Sequence, residues 1–101
     1  MIRGKVIHAS SVAIDGRGLL ILGPSGAGKS ALALALMAMG AVLVSDDRTV
    51  LRRDGDMVLA DAPDSLRGLI EARGIGILRA DSAGAVPVVL VVDLGRAEDA
   101  R

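Results

Sequence analysis

Leu19-Leu20-Ile21-Leu22-Gly23-Pro24-Ser25-Gly26-Ala27-Gly28-Lys29-Ser30 is the stretch on which the fold turns. Its four leading apolar residues, set between turn signals, read as a central buried strand. Gly23 to Ser30 then matches G-x-x-x-x-G-K-[ST], the P-loop pattern. Glycines let the backbone wrap around an anion with several N–H groups turned inward, and the N-terminus of the helix that follows adds partial positive charge. Lys29 is placed to reach the outer phosphates, and the Ser30 hydroxyl is a hard oxygen donor suited to Mg²⁺. Gly23, Pro24, Ser25, Gly26, Ala27, Gly28, Lys29 and Ser30 are therefore the expected nucleotide-binding residues.

Outward from this loop, Lys29 to Met39 is rich in strong helix formers, and Gly40 is placed to stop the helix. The helix is apolar all round, which predicts burial on more than one side. Upstream, Ile2 to Ile7 and Ser11 to Ile14 read as two short strands with a turn near Ala9, followed by Asp15-Gly16-Arg17-Gly18 turn chemistry. Downstream, Ala41 to Val44 reads as a buried strand, and Thr49 to Arg53 with Met57 to Ala60 as a hairpin about Asp54-Gly55. Asp61 to Asp64 is a loop, Ser65 to Glu71 a helical turn leading into a strand, and Arg73 to Gly76 another loop. Val86 to Val92 is a long apolar strand, and residues 95–101 form a polar tail. The expected fold is α/β: one domain over residues 1–101, a mixed sheet with antiparallel additions and a buried helix after the P-loop.

Composition narrows the function. The chain has 101 residues, 51% of them hydrophobic, and no Phe, Tyr or Trp. Ala, Val, Leu, Ile and Met must fill the core, and no aromatic ring exists to stack on a base. Twelve basic and twelve acidic residues balance, so no polyanion or nucleic-acid partner is indicated. Cysteine is absent, which excludes a disulfide framework and thiolate metal sites. The longest apolar run, Ala31 to Met39, is about half a membrane span, and no signal-peptide order opens the chain. These features point to a cytoplasmic protein without a membrane partner.

The carboxylates are the remaining chemistry. Asp46 and Asp47 follow a buried strand, where ligands of open α/β sheets bind. A carboxylate there can hold magnesium or take a proton from an acceptor hydroxyl. Adjacent residues point to opposite sides, so one of the two should face the phosphate. Asp93, at the end of the last apolar strand, competes for the same task. Glu71 precedes Arg73-Gly74-Ile75-Gly76, a loop able to approach a phosphate through Arg73, Gly74 and Gly76. His8, the single histidine, could contact a phosphate or polarise a carboxylate if the first hairpin folds beside the P-loop.

Taken in order, His8, the P-loop, Leu43-Val44-Ser45-Asp46-Asp47-Arg48 and Ile70-Glu71-Ala72-Arg73-Gly74-Ile75-Gly76-Ile77-Leu78 resemble the catalytic domain of HPr kinase/phosphorylase, from about Met1 to Asp93. The Glu-x-Arg-Gly-x-Gly-Ile segment is the most specific part, being foreign to ordinary P-loop kinases. The resemblance implies a nucleotide-binding core like that of phosphoenolpyruvate carboxykinase. It implies phosphorylation of a serine of the phosphocarrier HPr by ATP or pyrophosphate, reversal by phosphorolysis, and a hexamer. By resemblance Lys29 contacts the β and γ phosphates, while Ser30 and Glu71 hold Mg²⁺. One aspartate, Asp47 by its spacing from the loop, accepts the seryl proton, Asp46 sits near the metal or its water, and His8 positions or polarises Asp47.

The resemblance also implies a short α-proteobacterial-type form that begins at the catalytic domain. The family's C-terminal region carries a further catalytic arginine and an HPr-contacting helix, roles to which no residue here is assigned. Two other readings stand beside the HPr kinase. A small-molecule P-loop kinase would need a lid and an Arg-rich acceptor pocket. A non-catalytic nucleotide-sensing module would bind without transfer.

Overall fold

The computed structural model describes residues 4–95. Ile2 and Arg3 of the first expected strand, and residues 96–101 of the expected tail, lie outside the described residues. Eight strands and one α-helix follow in order: β1 (Lys5–Ile14), β2 (Arg17–Leu22), α1 (Lys29–Ala38), β3 (Val42–Ser45), β4 (Arg48–Asp54), β5 (Met57–Asp61), β6 (Leu69–Ala72), β7 (Gly76–Arg79) and β8 (Val86–Asp93). A 3₁₀ turn at Asp64–Leu66 precedes β6.

The first expectation to fall is the turn near Ala9. β1 is one continuous ten-residue strand. It changes partners instead of turning: Lys5 to His8 pair with β4, while Ala9 to Ile14 pair with β2 and Ser11 to Ala13 with β3. The true turn is the tight Asp15-Gly16 link, and Arg17-Gly18 already belongs to β2. β8 makes a similar switch. Val86 and Pro87 pair with β5, and the residues beyond run parallel to β2.

The six-stranded sheet is ordered β2-β8-β5-β4-β1-β3, with β2 also paired to β1. Among the described residues β2–β8 is the one parallel strand pair, the other strand pairs being antiparallel, and a single parallel bridge joins Leu43 of β3 to Ser82. The balance thus lies opposite to the expected α/β sheet with antiparallel additions. The reason is that only one connection among the described residues runs through an α-helix, while hairpins join β1 to β2 and β4 to β5. The expected hairpin about Asp54-Gly55 forms as β4–β5. β6 and β7 form a separate two-stranded ribbon; β7 starts at Gly76, the last residue of the expected loop, and runs on to Arg79, where no strand was expected.

Period-two alternation gives two cores. Val12, Leu19, Ile21 and Leu43 face α1 and enclose Ala33 and Ile70. Ala13, Val44, Ala60 and Val86 form the second, with Leu51, Ala83 and Val88 packed against them. Each large aliphatic side chain fully buried this way contributes about 1.5–3 kcal/mol. Ala33 is small enough to let the helix sit close on the sheet. The helix is not buried on several sides as its composition predicted. Only Lys29 and Ala33 are fully buried, and Met39 is 82% exposed. The sheet and β6 together cover only part of α1, and its outer alanines face solvent. Val89, Leu90 and Val91 of β8 are exposed too, although β8 is flanked by β2 and β5 in the sheet. No helix among the described residues is long and apolar enough to cross a membrane.

Candidate functional site

β2 delivers the chain into the glycine-rich loop, and α1 carries it away. A turn closes when the Ala27 amide donates to the Pro24 carbonyl at 3.0 Å, with Gly26 at φ 86°. Gly28, the helix N-cap, stands at φ 102°. A Cβ at either glycine would meet no atom within 4 Å, so glycine is required by backbone conformation and not by space. α1 has no side-chain cap and no acidic residue in its first turn. Its first N–H groups are therefore left to whatever enters from the loop side. Lys29 is buried, and its Nζ donates to the carbonyls of Gly23 at 2.7 Å and Pro24 at 3.2 Å.

The corner after β3 faces this loop. Asp46 is buried, and its carboxylate is held entirely by neutral donors. Oδ1 accepts from Ser30 Oγ at 2.6 Å and from Ser10 Oγ at 2.8 Å, and Oδ2 accepts from the Glu71 amide at 2.9 Å. One carboxylate thus ties the start of α1, the middle of β1 and the ribbon strand β6 together. Hydrogen bonds to a charged group are worth about 1.5–3 kcal/mol each, so this is a firm joint.

Asp47 is different. It is exposed, and it is the centre of a three-residue turn closed by the Arg48 amide on the Asp46 carbonyl at 2.7 Å. Its φ of 67° puts this turn in the rare, strained form, a conformation that costs about 1–3 kcal/mol and persists only where its surroundings impose it. Those surroundings are polar and buried. The Ala9 amide donates to the Asp47 carbonyl, the Asp47 amide donates to Ser10 Oγ, and Ser45 Oγ donates to the Arg48 carbonyl. Thr49 donates to the Ala9 carbonyl and shares a hydrogen bond with Ser11.

Between the start of α1 and the β6–β7 ribbon lies a cleft of about 640 Å³, and Gly26, Lys29, Ser30, Asp47, Glu71 and Arg73 line it. Cationic and anionic groups thus share one wall-to-wall space. Among the described residues no group of three or more His, Asp or Glu side chains is arranged to hold a metal unaided.

A family model described as the HPr serine kinase C-terminal domain matches residues 1–89. The chain belongs to that family. Its relatives include the HPr kinase/phosphorylase of Peptoclostridium acidaminophilum, 48% identical over 75 residues, which are 73% of this chain and 24% of the relative. The HPr kinase/phosphorylase of Lactobacillus acidophilus is 48% identical over 73 residues, 71% of this chain and 23% of the relative. The chain therefore spans about a quarter of the length of these curated relatives. Among solved structures, the HPr(Ser) kinase/phosphatase from Coxiella burnetii matches with a TM-score of 0.81 at 31% identity, over 88% of this chain and 64% of that one. The mixed α/β fold is the one that structure has.

Within this HPr kinase family fold, the residues expected from sequence separate into groups. Lys29, Ser30, Asp47, Glu71 and Arg73 meet at the cleft together with Ser25, Gly26 and Gly28. Asp46 stands behind them, one hydrogen bond from Ser30. Gly23, Pro24 and Ala27 shape the loop without lining the cleft, and Ile75 lines it where Gly74 and Gly76 do not. His8 is exposed, pairs in register with Arg48, and makes no side-chain hydrogen bond to Asp47. The group that does touch Asp47 is Ser10, because the bond reaches the aspartate's backbone from the next inward-facing position of β1. Asp93 ends β8 opposite Leu22, beside the start of the glycine-rich loop; its carboxylate accepts from the Gly95 amide at 2.9 Å, and it does not line the cleft. Ser10 is not legible as a site residue in the sequence because it falls in the turn expected near Ala9, just before the strand expected from Ser11. Two adjacent serines inside an otherwise apolar strand were the available signal.

Proposed function

We propose that this chain is the nucleotide-binding catalytic core of an HPr serine kinase, built on a P-loop like that of phosphoenolpyruvate carboxykinase. The observation that carries this reading is the meeting of Lys29, Ser30, Asp47 and Glu71 on one cleft, with Asp46 bonded to Ser30 behind it. The names of the relatives support HPr as the acceptor.

In this reading the donor is ATP or pyrophosphate, and its outer phosphates displace the Gly23 and Pro24 carbonyls from Lys29. The uncapped start of α1 and the loop amides hold the remaining phosphate oxygens. Magnesium normally keeps one or two protein oxygens besides phosphate and water, so Ser30 and Glu71, with Asp46 behind, fit it without a larger protein cage. When bound, the ion supplies charge neutralisation to the phosphates. The acceptor seryl oxygen forms a bond to the transferred phosphorus as the bond to the leaving phosphate breaks. Asp47 takes the seryl proton. In phosphorolysis inorganic phosphate attacks the phosphoserine, and Asp47 returns that proton to the seryl oxygen.

The test is transfer of labelled phosphate from ATP to purified HPr, with nucleotide binding followed in parallel. A proton acceptor acts in the transfer step, so Asp47→Asn should keep nucleotide affinity yet lose at least about a hundredfold in turnover. Undiminished transfer by Asp47→Asn would remove it from the reaction.

A further inference from the structure

We propose that Ser10 is a positioning residue for Asp47: one buried hydroxyl on β1 holds the strained turn that sets the aspartate on the cleft wall. This rests on the kinase reading for its catalytic meaning, and on the geometry of the turn for its structural meaning.

Ser10 is fully buried, so no water can replace its hydroxyl. The polarity of its two bonds is forced. The Asp47 amide can only donate, so Ser10 Oγ accepts there at 3.0 Å. Its one proton then goes to Asp46 Oδ1 at 2.8 Å. The same atom therefore orients the carboxylate behind Ser30 and the peptide of the next residue. Asp47 is gripped from β1 on both sides, because the Ala9 amide donates to its carbonyl at 3.0 Å. That second grip is backbone to backbone and stays in any variant. Ser10 Oγ is the only side-chain atom among the described residues bonded to the Asp47 backbone. Without it the Asp47 amide loses its partner in the closed turn, and the residue at φ 67° loses one of the two bonds its own backbone makes to β1. An unrestrained non-glycine residue leaves such a conformation for a commoner one, and the carboxylate moves with it. Asp46 keeps its bonds from Ser30 and from the Glu71 amide, so the nucleotide side of the site keeps its carboxylate anchor.

The decisive comparison is Ser10→Thr against Ser10→Val, which add the same bulk and differ in the hydroxyl; Ser10→Ala removes it without adding bulk. Three readouts are taken on the full chain: ATP affinity with magnesium, transfer to HPr, and hydrogen exchange of the Asp47 amide. In Ser10→Ala and Ser10→Val, turnover should fall at least about tenfold while ATP affinity stays within about threefold. The Asp47 amide should exchange at least about tenfold faster in both, and Ser10→Thr should restore the parent's values. A role in packing alone would treat Thr and Val alike, and that result would overturn the proposal. Parent-like turnover in Ser10→Ala would overturn it too. If the parent itself transfers nothing to HPr, the kinase reading falls separately, and the exchange rates decide: faster exchange in Ala and Val but not in Thr supports the Ser10 restraint, and unchanged exchange in Ala overturns it.

Discussion

Two regions of the molecule hold charged side chains in opposite ways. At the cleft, Asp46 is bonded by two hydroxyls and an amide, and Lys29 by two carbonyls. At the far side, Asp61 of β5 accepts from Arg67 and from the Ala62 amide at 2.8 Å each and from Arg52 at 3.4 Å, while Arg67 also reaches Asp64. Both arrangements satisfy the hydrogen-bonding capacity of a carboxylate. Only the second cancels its charge. Neutral partners fix a charged group in place and leave its field directed at whatever enters the cleft, Lys29 toward an anion and Asp46 toward a cation. The arginine cluster has little field left over and serves as a clasp between β5 and the 3₁₀ turn.

The strongest way to break this contrast is Asp46→Ala. It leaves the Ser10 and Ser30 hydroxyls and the Glu71 amide without their acceptor, and stability should drop by about 2–4 kcal/mol. Denaturant midpoints with and without magnesium measure both halves, since any stabilisation by the ion should vanish as well. A loss below about 0.5 kcal/mol would mean the joint is ornamental.

Lys29→Ala comes next. Affinity for ATP should fall at least about tenfold, or 1.4 kcal/mol, with the fold retained, as calorimetric titration would show. Affinity within about twofold of the parent would mean that the Lys29 field is not used for phosphate.

The smallest effect belongs to the clasp. Burial alone would raise the Asp61 pKa, but hydrogen bonds from Arg67 and the Ala62 amide, the charge of Arg67 and the bond from Arg52 together hold it below the ordinary 3.8. A carboxylate lowered on folding stabilises above its unfolded value, and that gain is lost as pH falls through the folded value. Asp61→Asn should therefore cost on the order of 1 kcal/mol at neutral pH, less in high salt. The difference from the parent should close as pH drops below the carboxylate range, and ATP affinity should not move. A change in ATP affinity would erase the distinction between the two regions.

Much of the cleft was legible because its signals are local. Gly23 to Ser30 carries its geometry in eight consecutive residues, and adjacency alone implies that only one of Asp46 and Asp47 lines the cleft. What stayed hidden depends on partners far along the chain. Ser10 reads as part of a turn and Ser11 as an ordinary strand residue until Asp46, 36 positions from Ser10, and Thr49, 38 positions from Ser11, are folded against them. The partner switch of β1 has the same origin, since a strand that pairs on both edges leaves no local mark where it changes neighbours. β7 could not be read because Gly76-Ile77-Leu78-Arg79 lacks alternation and pairs only with β6. The helix misled in the other direction: its composition is apolar on every side, yet the sheet and β6 leave Ala31, Ala35 and Ala38 exposed.

The aliphatic cores of this fold also determine how the protein can be watched. Val, Leu, Ile and Ala fill them, and the chain has no Phe, Tyr or Trp. The polypeptide is accordingly transparent in the near ultraviolet. The near-ultraviolet dichroism that ordinarily reports fixed tertiary packing is silent. Any near-ultraviolet absorbance of a purified sample belongs to bound nucleotide or nucleic acid, and a single tryptophan placed at the solvent-exposed Met39 would be the sole intrinsic emitter in the molecule.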